Sequence, residues 1–143
     1  MEFTRMNASA LLDTGFLLAI LNADDKLHES CVKALLAEPE PILPDVVLPE
    51  LAYMILRKGN YAILSNFLYS ILDGELQIEK STPEDLAKTA QILEKYADSR
   101  IDFVDAVIAA MAERLNIQRI LTIDRRNFQL LRSKHSPYFV IIP

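Results

Sequence analysis

The sequence predicts an α/β fold, a mainly parallel sheet with helices on both faces. Three observations predict it. Short apolar runs alternate with longer stretches of helical periodicity along all 143 residues. Hydrophobic residues make up 51% of the chain, enough to fill the core of one domain. No repeat, linker or low-complexity segment interrupts the alternation, so the whole of 1–143 reads as one domain.

Ser9–Asp13 is a short apolar run ending in an acid and reads as a buried strand. Phe16–Asn22 follows without a turn signal and suits a short helix. Asp24 and Asp25 are placed to cap a helix over Lys26–Ala37, which aligns Leu27, Cys31 and Leu35 on one face. Glu38–Pro44 holds three prolines and must be extended, as a loop or as a short strand around Ile42 and Leu43. A helix then covers Val46–Arg57, with Pro49 near its first turn and Gly59 past its end. Tyr61–Leu72 is a further helix, closed by Asp73 and Gly74. Leu76–Lys80 alternates apolar and polar residues, as a strand does. Thr82 caps a helix that starts at Pro83 and runs to about Ala97. A break at Asp98–Arg100 precedes a strongly helical stretch, Asp102–Leu115. Arg119–Ile123 reads as a strand ending at Asp124, Phe128–Leu131 as one helical turn, and Tyr138–Ile142 as a last strand.

Composition excludes several chemistries. Gly15, Gly59 and Gly74 are the three glycines, too far apart for a phosphate-cradling loop. Cys31 stands alone, which leaves no internal disulfide and no cysteine-rich zinc site. His28 and His135 are the two histidines, so a metal here would be held by oxygen. No apolar segment suits a leader peptide or a membrane span, and a cytoplasmic protein with a reduced, buried Cys31 is expected.

The acids carry the functional signal. Asp13 and Asp124 each close an apolar strand, and ligands of open parallel sheets gather at that end of the strands. Asp105 lies in the first turn of an apolar helix, ahead of Ala106, Ala109, Ala110 and Ala112, small residues that permit close packing on the sheet. Glu50 sits among Leu48, Leu51 and Ala52. Taken singly, Asp124 reads as a turn former or cap, Asp102 as an N-cap and Glu50 as a half-exposed helix residue. Taken together, four acids in apolar sequence on separate elements repel one another unless cations hold them. All-oxygen clusters select Mg²⁺ or Mn²⁺.

The order and spacing of these residues resemble the PIN-domain ribonucleases, in particular the VapC-like toxins of bacterial and archaeal toxin–antitoxin pairs. The resemblance runs from Leu11 to Ile142. It rests on Leu11-Leu12-Asp13-Thr14-Gly15, Leu48-Pro49-Glu50-Leu51, Phe103-Val104-Asp105-Ala106 with the alanines after it, and Ile120-Leu121-Thr122-Ile123-Asp124 with Phe128. It implies a PIN-like three-layer sandwich with a central five-stranded parallel sheet. It implies a site built from Asp13, Glu50, Asp105 and Asp124, which hold Mg²⁺ or Mn²⁺ and hydrolyse RNA to 5′-phosphate and 3′-hydroxyl ends. A small antitoxin partner, which typically inserts a helix or an arginine near the acidic pocket, and a homodimer are implied as well. Asp102, three residues before Asp105, is either a fifth acid of this site or only the cap. Thr14 and Thr122 are expected to support the site by hydrogen bonding.

Charge is distributed unevenly. Residues 1–113 carry nine basic and nineteen acidic side chains, residues 114–143 six basic and one acidic, within a net charge of −5. Arg125 and Arg126 directly follow Asp124 and are expected to meet phosphate, as is Arg57 at the end of the Glu50 helix. Tyr53 and Tyr61 are candidates for stacking on bases, with core packing the stronger expectation. The Asp-Thr-Gly string also occurs in aspartic proteases, but that fold is all-β and this chain turns helical after Gly15. A dehalogenase-type phosphatase needs an acid where Gly15 stands. The remaining alternative is a PIN-like module that binds RNA or protein without cutting, against which the four acids speak.

Overall fold

The computed structural model describes residues 8–131 and 140–143. β1 (Ser9–Leu12), β2 (Glu40–Pro44), β3 (Gln77–Glu79), β4 (Arg119–Leu121) and β5 (Val140–Ile142) form one sheet. Its order is β3-β2-β1-β4-β5 and every pairing is parallel. The expected five-stranded parallel sheet is present. The chain lays down β1, β2 and β3 toward one edge, then returns to the other side of β1 for β4 and β5. The switch point therefore lies between β1 and β4, where Leu12 pairs with Leu121. Strands of such a sheet diverge there and leave a crevice at their carboxyl ends.

The helices cover the sheet: α1 (Thr14–Leu21), α2 (His28–Leu36), α3 (Val47–Arg57), α4 (Tyr61–Leu72), α5 (Pro83–Lys95), α6 (Phe103–Leu115) and the short α7 (Arg125–Leu130). Leu11, Leu12, Leu43, Ile120 and Leu121 are fully buried, with Phe16, Leu51, Ile108, Met111 and Phe128 packed around them. α6 is buried without interruption from Val104 to Ala112, and its four alanines let its backbone lie close to its neighbours. Cys31 is in this core, and burial pushes its thiol pKa up.

Local chemistry sets the helix ends. Asp13 accepts the amide of Phe16 at 2.8 Å, so α1 begins at Thr14, two residues before the apolar run suggests. Asp25 accepts from Leu27 and its carbonyl accepts from His28, a turn that delays α2 to His28 and leaves it without a side-chain cap. Pro49 falls in the first turn of α3, where an amide is not needed. Thr82 and Asp85 form a reciprocal capping box around Pro83. The break before α6 is a 3₁₀ turn, Ala97–Ser99, ended by Arg100 in the left-handed region. α7 is longer than the single turn expected, and β5 occupies Val140–Ile142. Tyr138 and Phe139 lie outside the described residues.

Two ion pairs tie elements together. Arg119 at the start of β4 pairs with the buried Glu38 ahead of β2. Arg114 on α6 holds the fully buried Asp85 at 2.8 and 3.0 Å and reaches Glu79 at 3.4 Å.

α3 and α4 form a helical hairpin turned at Gly59, which has a φ of 77°. Ser70 and Glu75, at the far end of α4, share a groove with Glu38 and Pro39 ahead of β2. α4 thus runs toward the amino-terminal edge of the sheet. α3, which starts just after the carboxyl end of β2, runs the other way and rises from the rim that carries Asp13.

Candidate active site

Asp13 stands at the end of β1, in the crevice between β1 and β4. It is 4% exposed. One carboxylate oxygen accepts the Phe16 amide, and the other accepts the Thr122 hydroxyl from across the switch point. Thr122 in turn accepts the Asp124 amide at 2.9 Å, so one hydroxyl fixes Asp13 and shapes the turn into α7. Burial raises the Asp13 pKa to about 6 against these hydrogen bonds, and the charges of Asp124 and Glu50 add to the rise.

Asp105 points inward from the first turn of α6 and is 8% exposed. Asn127 of α7 donates to it at 2.6 Å. Burial again dominates and brings its pKa to about 7, with Asp13, Asp102 and Asp124 contributing repulsion. Asp124 occupies the position before α7 but makes no side-chain cap, and its carboxylate accepts from Asn127 at 3.4 Å. The turn-or-cap reading of Asp124 is therefore half right: its backbone turns, and its side chain remains at the rim. Glu50, in the first turn of α3, is half-buried and within electrostatic reach of Asp13.

Asp102 is exposed. It takes the N-cap position by backbone geometry alone, with its carbonyl accepting Ala106, and its side chain caps nothing. Its charge bears on Asp105.

Among the described residues, none of the four acids pairs with a basic side chain. The donor set is oxygen only and the charges are uncompensated, which fits a hard divalent cation. As the side chains stand, no three acids among the described residues group tightly enough to hold one ion. Electrostatic reach links Asp13 to Glu50 and Asp124, and Asp105 to Asp13 and Asp124.

The other expected residues divide. Thr122 supports Asp13, whereas the Thr14 hydroxyl is buried and bonded to nothing among the described residues. Arg125 donates to the Pro143 carbonyl, which ties α7 to the end of β5. Arg126 is exposed beside Asp124. Arg57 is exposed at the far end of α3, with its guanidinium 5.9 Å from the centre of the Tyr53 ring. Tyr53 and Tyr61 are 63% and 67% exposed, against the expectation of core packing, because they fall outside the face of the hairpin that Leu51, Ile55, Leu64 and Phe67 bury. Asn127 was missed by sequence reasoning. Its signal is its place three residues after Asp124, one turn along and just before the buried Phe128.

Residues 10–133 match the family model of the PIN domain. This chain belongs to the PIN domain family. The match takes in all four acids and Asn127. A curated relative, Ribonuclease VapC26 of Mycobacterium tuberculosis, is 27% identical over 134 residues, 93% of this chain and 99% of the relative. Among solved structures, the M. tuberculosis toxin VapC20, which cleaves the sarcin–ricin loop, superposes with a TM-score of 0.71 at 21% identity, over 78% of this chain and 86% of that one. A toxin–antitoxin complex from Klebsiella pneumoniae gives 0.68 at 17% identity, over 92% and 99%. At these identities the structural neighbours establish the PIN fold.

Proposed function

We propose that this PIN domain is a metal-dependent endoribonuclease that acts as the toxin of a toxin–antitoxin pair. One observation carries the reading. Asp13 and Asp105 are buried within electrostatic reach of each other and of Asp124, Glu50 is within reach of Asp13, and among the described residues none of the four pairs with a basic side chain. For the two buried acids, Asp13 and Asp105, a purely structural role would call for a basic partner, because an unpaired buried carboxylate costs several kcal/mol. The curated relative named a ribonuclease, similar over nearly its full length, supports RNA as the substrate.

Asp13, Glu50, Asp105 and Asp124 would hold Mg²⁺ or Mn²⁺. Such an ion, once bound, supplies Lewis-acid activation of water and neutralises charge on the phosphodiester. The chain's own residues supply the rest. Thr122 orients Asp13, and Asn127 orients Asp105 and restrains Asp124. Arg126 presents a cation beside the rim for substrate phosphate. Arg57 does so from the rising helix, and Arg125 shares its charge with the Pro143 carbonyl.

Complexes with antitoxins among the neighbouring structures support a protein partner, and a homodimer accords with the resemblance. No helix among the described residues is long and apolar enough to cross a membrane. A cytoplasmic place of action follows from the RNA substrate.

The test is cleavage of a panel of structured RNAs with and without Mg²⁺ or Mn²⁺. Cleavage by the wild type, its loss in EDTA and its loss in Asp13→Asn are expected. Activity that survives both would overturn the reading.

A further inference from the structure

The face of α3 that carries Glu50 continues into a second feature. Glu50, Tyr53, Met54 and Arg57 are spaced i, i+3, i+4 and i+7, and so lie along one side of the helix. Val47, Leu51 and Ile55, centred roughly 110° round the helix from that stripe, are buried. Tyr53 is 63% exposed, and Arg57 lies over its ring. Between Glu50 and Asp73 the chain carries Arg57 and Lys58 and no acidic residue. In a chain of net charge −5, the stretch from Leu51 to Leu72 carries a net charge of +2.

We propose that Tyr53, braced by Arg57, is a stacking platform that receives a nucleobase of the RNA next to the phosphate held at the acidic rim. The proposal rests on the nuclease reading and adds a determinant of substrate binding to it. Tyr53 lies ~4.5 Å and Arg57 ~10 Å further along the axis of α3 than Glu50. That is the span of about one to three stacked nucleotides at ~3.4 Å per step. Arg57 restrains the tyrosine, so less rotamer freedom is lost when a base stacks, and its charge meets the neighbouring phosphate. A protein partner would be served as well by the exposed Met54 and Leu68. The cationic charge and the continuity with Glu50 favour a polyanion at Tyr53.

The probe is a short, nuclease-resistant phosphorothioate RNA carrying a fluorophore, in Mg²⁺, with binding read by anisotropy. Tyr53→Ala is expected to weaken binding about tenfold, within the range for losing one stacked base, and Tyr53→Phe to restore it. Tyr69→Ala, an equally exposed tyrosine on α4, is expected to bind as the wild type does. A series of RNAs with one abasic site moved along the strand adds the deciding readout. At one position the difference between wild type and Tyr53→Ala should close. A loss of equal size at every position would overturn the platform, as would unchanged binding. So would unchanged RNA binding together with a shift in sedimentation, which would assign the face to a second copy of the chain. Cleavage of unmodified RNA separates this proposal from the one beneath it. A wild type that binds in this manner but never cleaves would overturn the nuclease and leave the platform. A wild type that cleaves, with Tyr53→Ala unaffected in KM, would do the reverse.

Discussion

Asn127 donates its side-chain amide to Asp105 at 2.6 Å, joining α7 to the first turn of α6 inside the acidic crevice. The same amide reaches Asp124 at 3.4 Å. One neutral side chain thus sets the spacing of two repelling carboxylates. Asn127→Leu keeps the bulk and removes the donor. Cleavage should fall ~10–100-fold, the usual cost of losing a residue that orients metal ligands. Mg²⁺ titration of the cleavage rate checks it, and the metal required for half-maximal rate should rise.

Thr122 is the corresponding residue for Asp13. Thr122→Val removes the hydroxyl that Asp13 accepts and the acceptor for the Asp124 amide. A loss of similar size is expected, with Thr122→Ser recovering most of the rate. Parallel circular dichroism should show an intact fold in both variants.

The raised carboxyl pKa values fix the sign of a pH effect. Asp13 at about 6 and Asp105 at about 7 bind protons more tightly when folded than in the unfolded chain. The folded state therefore carries more protons between about pH 4 and 7, and stability falls as pH rises through that window. Metal-free protein should be more stable at pH 5 than at pH 8 by roughly 2–5 kcal/mol, on the scale of 1.36 kcal/mol per pKa unit. Urea unfolding in EDTA at both pH values tests it. Added Mg²⁺ should shrink the difference, because it stabilises the ionised acids. Asp105→Asn should raise the metal-free Tm while abolishing cleavage.

The Arg114–Asp85 pair lies outside the crevice and should affect stability alone. Asp85 is fully buried, so Arg114→Leu strands its charge and should cost about 3 kcal/mol. Thermal melting should show a lower Tm, with cleavage near the wild-type rate at low temperature.

Arg126 and Arg125 separate in the structure although they are neighbours in sequence. Arg126→Ala should weaken RNA binding and lower the slope of log Kd against log salt by about one. Arg125→Ala should change that slope less, since its guanidinium already serves the Pro143 carbonyl.

Much of the fold was legible because the central strands are short apolar runs and some elements carry their own punctuation, such as Thr82 with Pro83 and Gly59. Helix starts were misplaced where a residue from the preceding element does the capping, as Asp13 does for α1. The acids were legible because Asp13 and Asp124 end strands on either side of the switch point and Asp105 opens a helix too apolar to be a surface. Asn127 was hidden because its partner Asp105 is 22 residues away and an asparagine in a short helix reads as surface. Tyr53 was misjudged because an aromatic on an amphipathic helix ordinarily packs inward. The buried face of α3 is set instead by Val47, Leu51 and Ile55, which leaves Tyr53 outside it. The Thr14 hydroxyl shows the opposite case, a residue beside the site whose side chain has no hydrogen bond among the described residues.

The Asp13–Thr122 bond spans 109 positions of the chain, and α7, which brings Asn127, follows it. On the ribosome Asp13 emerges 109 positions before Thr122, its partner across the switch point. Until then β1 has no β4 beside it, and the crevice does not exist. The sheet order thus sets an order of assembly: Asp13 gains its Thr122 partner only after α1 to α6 and β4 have been made.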